Sequence, residues 1–406
     1  MKIKRLLVAT PQGESGELNK ESRYVFNYHT TERACEASLS MPIRAESYAS
    51  GALLTPFAMN KPEGWLYQQI VGRMAKFEHV DDMRLLAIIG SNQIGRLSFA
   101  TPDAARTPAR VQMGLKELLR QAPTRALFDF LVELYFESGI SGVQPKVMMP
   151  DADKVPNSKA TVLHPDLIVK SGGVEFPHLT ENEFLCMDAA RRAGIRVPNF
   201  WLSDDRGLFV MERFDLQGAQ RLGFEDMSVL MDKAPDAQGH YKYQSSYENI
   251  ARIIRAYCRN GEGLASSQRF FGYLALCVMV RNGDAHLKNF GLVYEHPAAA
   301  TSATLAPLYD VVTTTVYSYR DYRHERVLVD RTMALKLNKD NRYPTRQELL
   351  KFGADVCHVR DPAQVIERIA SAMTDTLLAN RDRIDSGFLQ RISREWDGGR
   401  LAIEVG

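Results

Sequence analysis

The segment Asn282-Gly283-Asp284-Ala285-His286-Leu287-Lys288-Asn289-Phe290 constrains this chain most, because it follows directly on the chain's longest apolar run, Phe270 to Val280. An apolar helix buried on most sides is a rigid platform, and polar groups at its end are held in fixed positions. Asp284 and Asn289 stand five residues apart. Phosphoryl transfer needs a carboxylate to orient and deprotonate a hydroxyl, with an oxygen donor nearby to hold Mg²⁺. An Asp-x-x-x-x-Asn step supplies both from one loop.

That spacing is the one found in protein-kinase catalytic loops, although the His-Arg that precedes the Asp there is absent. Twenty-one residues after Asn289 comes Asp310, in Leu308-Tyr309-Asp310-Val311, after an expected strand at Leu292-Val293-Tyr294. A second Mg²⁺-binding carboxylate is needed about there, since bridging ATP phosphates takes hard oxygen ligands from separate segments. Taken singly, each residue also fits a turn hydrogen bond or a solvated loop. Their order and context favour the catalytic reading.

Three weaker signals point the same way. Lys170 ends the apolar strand Leu167-Ile168-Val169, placed to reach the α- and β-phosphates, with Glu181 or Glu183 on the next helix as ion-pair partner. A lysine there also fits a solvated snorkelling residue. Glu212-Arg213-Phe214-Asp215 follows a strand and reads either as a hinge whose backbone meets adenine or as a surface strand exit. Ser141-Gly142-Val143-Gln144-Pro145-Lys146 is a loop in which glycine lets backbone approach phosphate and Lys146 adds charge. It matches neither GxxxxGK[ST] nor GxGxxG, and an ordinary turn is the competing reading.

Length sets the frame for these motifs. At 406 residues the chain is comfortable for two or three domains. Ile3–Ala9 and Tyr24–Tyr28 read as strands with Gly13 and Gly16 in the turn between, and Trp65 to Phe77 as a helix. Leu85 to Ile89 opens another buried segment, and residues 101–110 read as a linker. Ala126 to Phe136 reads as a helix, Val147–Met149 as a strand and Asp151 to Ala160 as a polar turn. Glu181 to Ala193 reads as a helix closed by Gly194, and Gly207 to Phe214 as a strand. After about 225 the chain reads as mainly helical, with a Thr345/Glu348 capping box and an amphipathic stretch from Val365 to Leu378. A strand-rich half joined near 215 to a helical half predicts two lobes with a cleft between them.

Apolar residues at 45% and charged residues at 25% fit a globular chain, and a net charge of +2 is too small for a dedicated nucleic-acid binder. Five dispersed cysteines without a CxxC pair argue against a disulfide or zinc framework and for a reducing compartment. The N-terminus is too short in apolar residues for a secretory signal, and Phe270 to Val280 is about half a bilayer span. These features predict a cytoplasmic protein with no membrane partner.

Together these segments resemble the HipA family of serine/threonine kinases, the toxins of bacterial toxin–antitoxin pairs. The resemblance covers nearly the whole chain. It rests on the loop before Gln144-x-Lys146, the Lys170 strand, Glu181-Asn182-Glu183-Phe184, Glu212-Arg213-Phe214-Asp215, the Asp284–Asn289 loop and Tyr309-Asp310, with residues 1–100 matching more loosely through Ile88 to Phe99. It implies an α+β, bilobal protein-kinase-like fold. Its parts would be a small mixed α/β N-terminal subdomain (1–110), an N-lobe region (111–216) and a mainly helical C-lobe (217–406). Asp284 would be the catalytic base, with His286 and Lys288 lining its loop. Asn289 and Asp310 would hold Mg²⁺, and Lys170, Gly142, Gln144, Lys146, Glu212 and Phe214 would serve ATP. His286 equally fits a structural hydrogen-bonder. The expected partners are a protein substrate such as an aminoacyl-tRNA synthetase, and a small helix-turn-helix antitoxin of HipB type. DNA would be reached only through that antitoxin.

One departure bears on regulation. The family's usual phosphoserine, three residues before the glycine of the Gly-x-Gln-x-Lys loop, is replaced here by Gly139. Ser141, directly before Gly142, is the expected autophosphorylation site. A catalytically silent binding module and a small-molecule phosphotransferase are the competing readings. Intact Asp284, Asn289, Asp310 and Lys170 speak against the first, and the lack of a basic membrane helix speaks against a lipid acceptor.

Overall fold

Burial alternates along Arg5–Thr10, with Leu6 and Val8 on the buried face, and this strand pairs on both sides within a five-stranded antiparallel sheet. The strand order is Tyr48–Ser50, Tyr24–Tyr28, Gly13–Lys20, Arg5–Thr10, Ser98–Ala100. Gly13 and Gly16, expected in a turn, lie within a strand instead, and the turn is Pro11-Gln12. A Cβ at Gly16 would meet the Asn27 carbonyl oxygen at 2.0 Å, so the glycine answers a close strand approach. Phe57, Ile70, Leu86, Ile89 and Phe99 close the core over this sheet. The helix Asp82–Ile89 is capped by Asp81, which accepts from Arg84 N at 2.9 Å.

The computed structural model describes residues 2–62, 64–74, 80–91, 93–103, 115–120, 160–163, 166–173, 175–218, 220–236, 239–321 and 326–404. The helix expected at 126–136, the strand at 147–149 and the loop holding Ser141, Gly142, Gln144 and Lys146 lie outside them, as does most of the expected linker.

A second sheet runs Ala160–Leu163, Leu167–Ser171, Leu208–Glu212, Phe200–Leu202, all antiparallel. Leu167–Ser171 is buried along its whole length because the sheet lies between two cores. Leu167, Val169, Leu208 and Val210 face the N-terminal core, whereas Ile168, Phe209 and Met211 face the helical body. The period of two therefore puts Lys170 on the Ile168 side, toward the helix Leu179–Arg192. That helix ends at Gly194, whose φ of 70° needs glycine.

The remainder is built on the helix Glu262–Met279, whose residues from Phe270 to Met279 are all buried. The amphipathic helices Tyr247–Tyr257, Pro362–Ala379 and Ser386–Glu404 complete this body. Thr345 and Glu348 form the expected capping box, with Thr345 N donating to Glu348 Oε2 at 2.8 Å. Among the described residues, the half read as mainly helical also holds three small sheets. The largest joins Gly223–Asp226, Gly291–Tyr294 and Thr304–Leu305. No helix among the described residues is long and apolar enough to cross a membrane, and all five cysteines are buried free thiols.

The N-terminal sheet unit is fastened at the junction near residue 215. Arg213 pairs with Asp215 through two hydrogen bonds of 3.0 and 2.6 Å. Arg213 and Arg221 donate to the Gln93 carbonyl at 2.6 and 2.8 Å, and Gly95 N donates to Asp215 at 2.7 Å. A second fastening is Glu225, buried and accepting from Ser38 Oγ and Leu39 N, each at 2.8 Å, and from the Tyr294 hydroxyl. The Glu212–Asp215 segment is thus no surface strand exit. Its charged side chains alternate between solvent (Glu212) and a buried docking seam (Arg213, Asp215).

Candidate active site

Strand geometry and helix geometry meet at Lys170. Its Nζ contacts Glu183 Oε1 on the following helix and lies 2.8 Å from Asp310 Oδ1. The lysine and Glu183 side chains are 7% and 2% exposed, so this is a buried pair and not a snorkelling surface lysine. Of the two carboxylates offered as partners, Glu183 is the one used. Glu181 faces the opposite way, toward His178 and Arg206 Nη1.

The helix carrying Glu183 is also tied to the chain beyond Asp310. Asn182 Nδ2 donates to the Thr313 carbonyl at 3.0 Å, and Asn182 Oδ1 accepts from Thr313 N at 2.8 Å. The Thr313 hydroxyl in turn accepts from Trp396 Nε1 at 2.8 Å. This reciprocal pair sets the register between the Lys170–Glu183 unit and Asp310.

Beyond Met279 the chain turns sharply, with Arg281 in left-handed backbone (φ 58°). Gly283 N donates to Thr314 Oγ1 at 2.8 Å, and Asp284 N to Asn282 Oδ1 at 3.1 Å. The Tyr247 hydroxyl holds the Ala285 carbonyl at 3.0 Å. His286 N donates to Asn289 Oδ1 at 2.9 Å, which leaves Asn289 Nδ2 to donate to Asp310 Oδ2 at 2.9 Å. Lys170, Asp310 and Asn289 therefore form one hydrogen-bonded chain. Asp310 itself adopts φ 58°, a conformation costing a non-glycine residue about 1–3 kcal/mol, and such strain gathers at working sites.

Asp284 stands outward of this cluster with 53% of its side chain exposed, and its Oδ1 accepts from the Tyr243 hydroxyl at 2.9 Å. His286 is buried, and that burial pushes its imidazole down to about 4 against the opposing pull of Asp284. It is a neutral ring at pH 7. Burial raises the Asp226 carboxyl, and the charge of nearby Lys288 works the other way. The Lys288 carbonyl accepts from the Tyr309 hydroxyl at 2.7 Å. Tyr309 stacks on Phe214, with ring centroids 5.0 Å apart and planes 16° from parallel. Phe214 and the Asp310 segment are thereby joined.

The structure links Lys170, Asp310, Asn289, His286 and Asp284 through direct contacts, with Lys288 in the same loop and Phe214 joined through Tyr309. Glu212 is not among them: its exposed carboxylate accepts from Asn199 Nδ2 at 2.9 Å. Gly142, Gln144, Lys146 and Ser141 lie outside the described residues. Tyr243, Asp226 and Tyr309 were not picked out as site residues. Only Tyr309 carried a signal, as the neighbour of Asp310. Among the described residues no three His, Cys, Asp or Glu side chains converge as a metal-binding group. Asp310 offers a carboxylate of the kind Mg²⁺ takes from a protein, whereas Asn289 turns its amide nitrogen to Asp310 and its oxygen to His286 N, so its amide would have to turn over to ligate a shared ion.

Comparison with known proteins bears on the family and the fold. The HipA-like C-terminal domain family model matches residues 138–379, and the HipA N-terminal domain model matches residues 6–100. A Haemophilus influenzae protein named "Putative kinase" is 30% identical over 192 residues, covering 44% of this chain. The chain spans about half the length of that relative (53%). "Putative kinase Y4mE" of Sinorhizobium fredii is 25% identical over 310 residues, 70% of each chain. Among solved structures, the Shewanella oneidensis HipA, from a complex with HipB and operator DNA, superposes with a TM-score of 0.69. At 17% identity it covers 98% of this chain and 97% of its own. The α+β fold is that of HipA, the two family models together span both sheet units and the helical body as far as Ala379, and the chain belongs to the HipA family.

Proposed function

We propose that this chain is an ATP- and Mg²⁺-dependent serine/threonine protein kinase of the HipA toxin type. The observation that carries the reading is the chain of contacts Glu183–Lys170–Asp310–Asn289, with the Asp284 loop beside it. Such a set suits a nucleoside triphosphate: a buried lysine for the α- and β-phosphates, and two oxygen donors for the metal. Bound Mg²⁺ would neutralise charge on the phosphate oxygens, held by Asp310 and Asn289. Asp284 takes the proton from an acceptor hydroxyl as that oxygen bonds to the γ-phosphorus and the bond to ADP breaks. Phe214 and the Glu212 backbone line the adenine end, and Lys288 and the neutral His286 brace the catalytic loop.

The same reading divides the chain into an N-terminal subdomain (1–110), an N-lobe region (111–216) and a C-lobe (217–406), with the cleft between the lobes. Gly142, Gln144 and Lys146 form its phosphate loop, and Ser141 is its autophosphorylation site. A cytoplasmic protein substrate, an aminoacyl-tRNA synthetase by family analogy, would carry the phosphate and translation would slow. A HipB-type helix-turn-helix antitoxin is the partner, with DNA met only through it.

The test is transfer of label from γ-labelled ATP with Mg²⁺ in a cell lysate, comparing wild type with Asp284→Ala and Asp310→Ala. Label on the chain or on one lysate band, lost in both variants, supports the reading. ATP binding without transfer would move it to a binding module or a small-molecule acceptor.

A further inference from the structure

Tyr243 closes the short 3₁₀ turn His240–Tyr243. The turn begins at Gly239, in left-handed backbone (φ 72°), and is pinned from below by Asp236. That carboxylate accepts from the backbone N–H groups of His240 and Tyr241, each at 2.9 Å, and Tyr241 is buried. Tyr243 itself is 39% exposed and leans over the catalytic loop. Its hydroxyl donates to Asp284 Oδ1 at 2.9 Å, and its ring meets the His286 ring edge-on, centroids 5.3 Å apart at 77°.

His286 Nε2 lies 4.0 Å from that same oxygen, Oδ1. Two aromatic rings in contact with each other thus wall one side of the carboxylate, and both address one of its two oxygens. The side chain nevertheless keeps 53% of its surface open. A half-exposed aspartate without such a wall would turn among staggered rotamers. A proton acceptor has to be held to a fraction of an ångström to work at full rate.

The geometry points to Tyr243 as a positioning residue for phosphoryl transfer: its hydroxyl ties Oδ1 of Asp284 so that Oδ2 is turned to the acceptor hydroxyl. The assignment rests on Asp284 being the base. The phenol undergoes no chemistry and holds its proton throughout. A hydroxyl at 2.9 Å from a base also resembles an acceptor in place, and that arrangement has the opposite consequence. As a plug, Tyr243 would slow transfer to other acceptors, whereas as a positioner it speeds it.

The experiment is a double-mutant cycle on the full chain, with Tyr243→Phe, Asp284→Asn and the pair. Turnover is read as label moved from γ-labelled ATP with Mg²⁺ to the chain itself and to casein, with KM for ATP measured alongside. Thermal melting checks folding, and Phe keeps the ring that packs on His286. The expected result is about a tenfold fall in turnover for Tyr243→Phe, the scale of one hydrogen bond, with KM for ATP within about twofold of wild type. In the Asp284→Asn background the same substitution is expected to change turnover by less than about twofold, because the bond has lost its purpose. A rise in turnover, no change in the single variant, or an equal fall in both backgrounds overturns the assignment while leaving Asp284 as base. Full turnover in Asp284→Asn alone overturns the base reading and this inference with it.

Discussion

Lys170 Nζ lies 2.8 Å from Asp310 Oδ1, joining a strand residue to a loop residue 140 positions later. Neither group is near the other in sequence, and each is already committed, Lys170 to Glu183 and Asp310 to Asn289. The site is therefore one connected network, and removing a member breaks a charge-assisted contact in a largely buried place.

Lys170→Met is expected to remove the positive charge paired with Glu183, whose side chain is 2% exposed. Urea unfolding should show a loss of about 3–5 kcal/mol. Label transfer from ATP should fall by about 10²–10³, the cost of deleting one preorganised electrostatic donor. A variant with wild-type transfer would remove Lys170 from the phosphate site.

Gly283→Ala tests the fit of the catalytic loop. The added Cβ would meet the Thr332 carbonyl oxygen at 2.6 Å and Thr314 Oγ1 at 2.9 Å. A backbone carbonyl cannot swing aside, so the loop has to move, at about 1–3 kcal/mol. A shift of about 1 Å at the neighbouring Asp284 should lower turnover by about 100-fold, read by single-turnover kinetics.

Asn182→Ala is expected to free the helix Leu179–Arg192 from the segment after Asp310. It orphans the Thr313 N–H and carbonyl, which Asn182 pairs reciprocally. Each buried group left unpaired costs about 1–3 kcal/mol. Denaturant titration should register that loss, and turnover should fall with ATP affinity because the Glu183–Lys170 unit loses its register to Asp310.

Glu225→Gln gives a pH signature. Burial raises the Glu225 carboxyl above its ordinary 4.5, against the bonds from Tyr294, Leu39 and Ser38. The folded state therefore binds the proton more tightly than the unfolded one. That contribution is present below about pH 4.5 and is lost as pH rises through the folded value. The glutamine keeps an oxygen for Leu39 N and Tyr294 and does not titrate. Its stability relative to wild type should grow as pH rises from 4.5 toward neutrality, measured by urea midpoints across that range. A constant difference would show that the fold does not raise the Glu225 carboxyl above its ordinary value.

Much of this arrangement was legible in the residues themselves. The apolar run ending at Val280 marked a buried helix, and the polar step from Asn282 to Asn289 marked what that helix presents, because both are local patterns of spacing. The strand at Lys170, the Gly194 terminus and the Thr345/Glu348 cap follow from the same local rules of period and capping. Local pattern also misled. Gly13 and Gly16 read as turn residues, yet Gly16 serves a close approach by Asn27, a residue from another strand. Glu212-Arg213-Phe214-Asp215 also reads as a surface strand exit, yet only the Glu212 side chain turns to solvent, and Arg213 and Asp215 are buried.

The sequence by itself determined which chemistry is available, since residue type and short-range spacing fix the carboxylates, the lysine and the rigid elements that carry them. Only the tertiary structure decided which of these groups meet. It chose Glu183 over Glu181 for Lys170, set Tyr243 on Asp284, and bound the N-terminal sheet to Asp215 and Glu225. Those choices depend on how separate elements pack, and packing is settled by the burial of whole faces, which no short window of sequence contains.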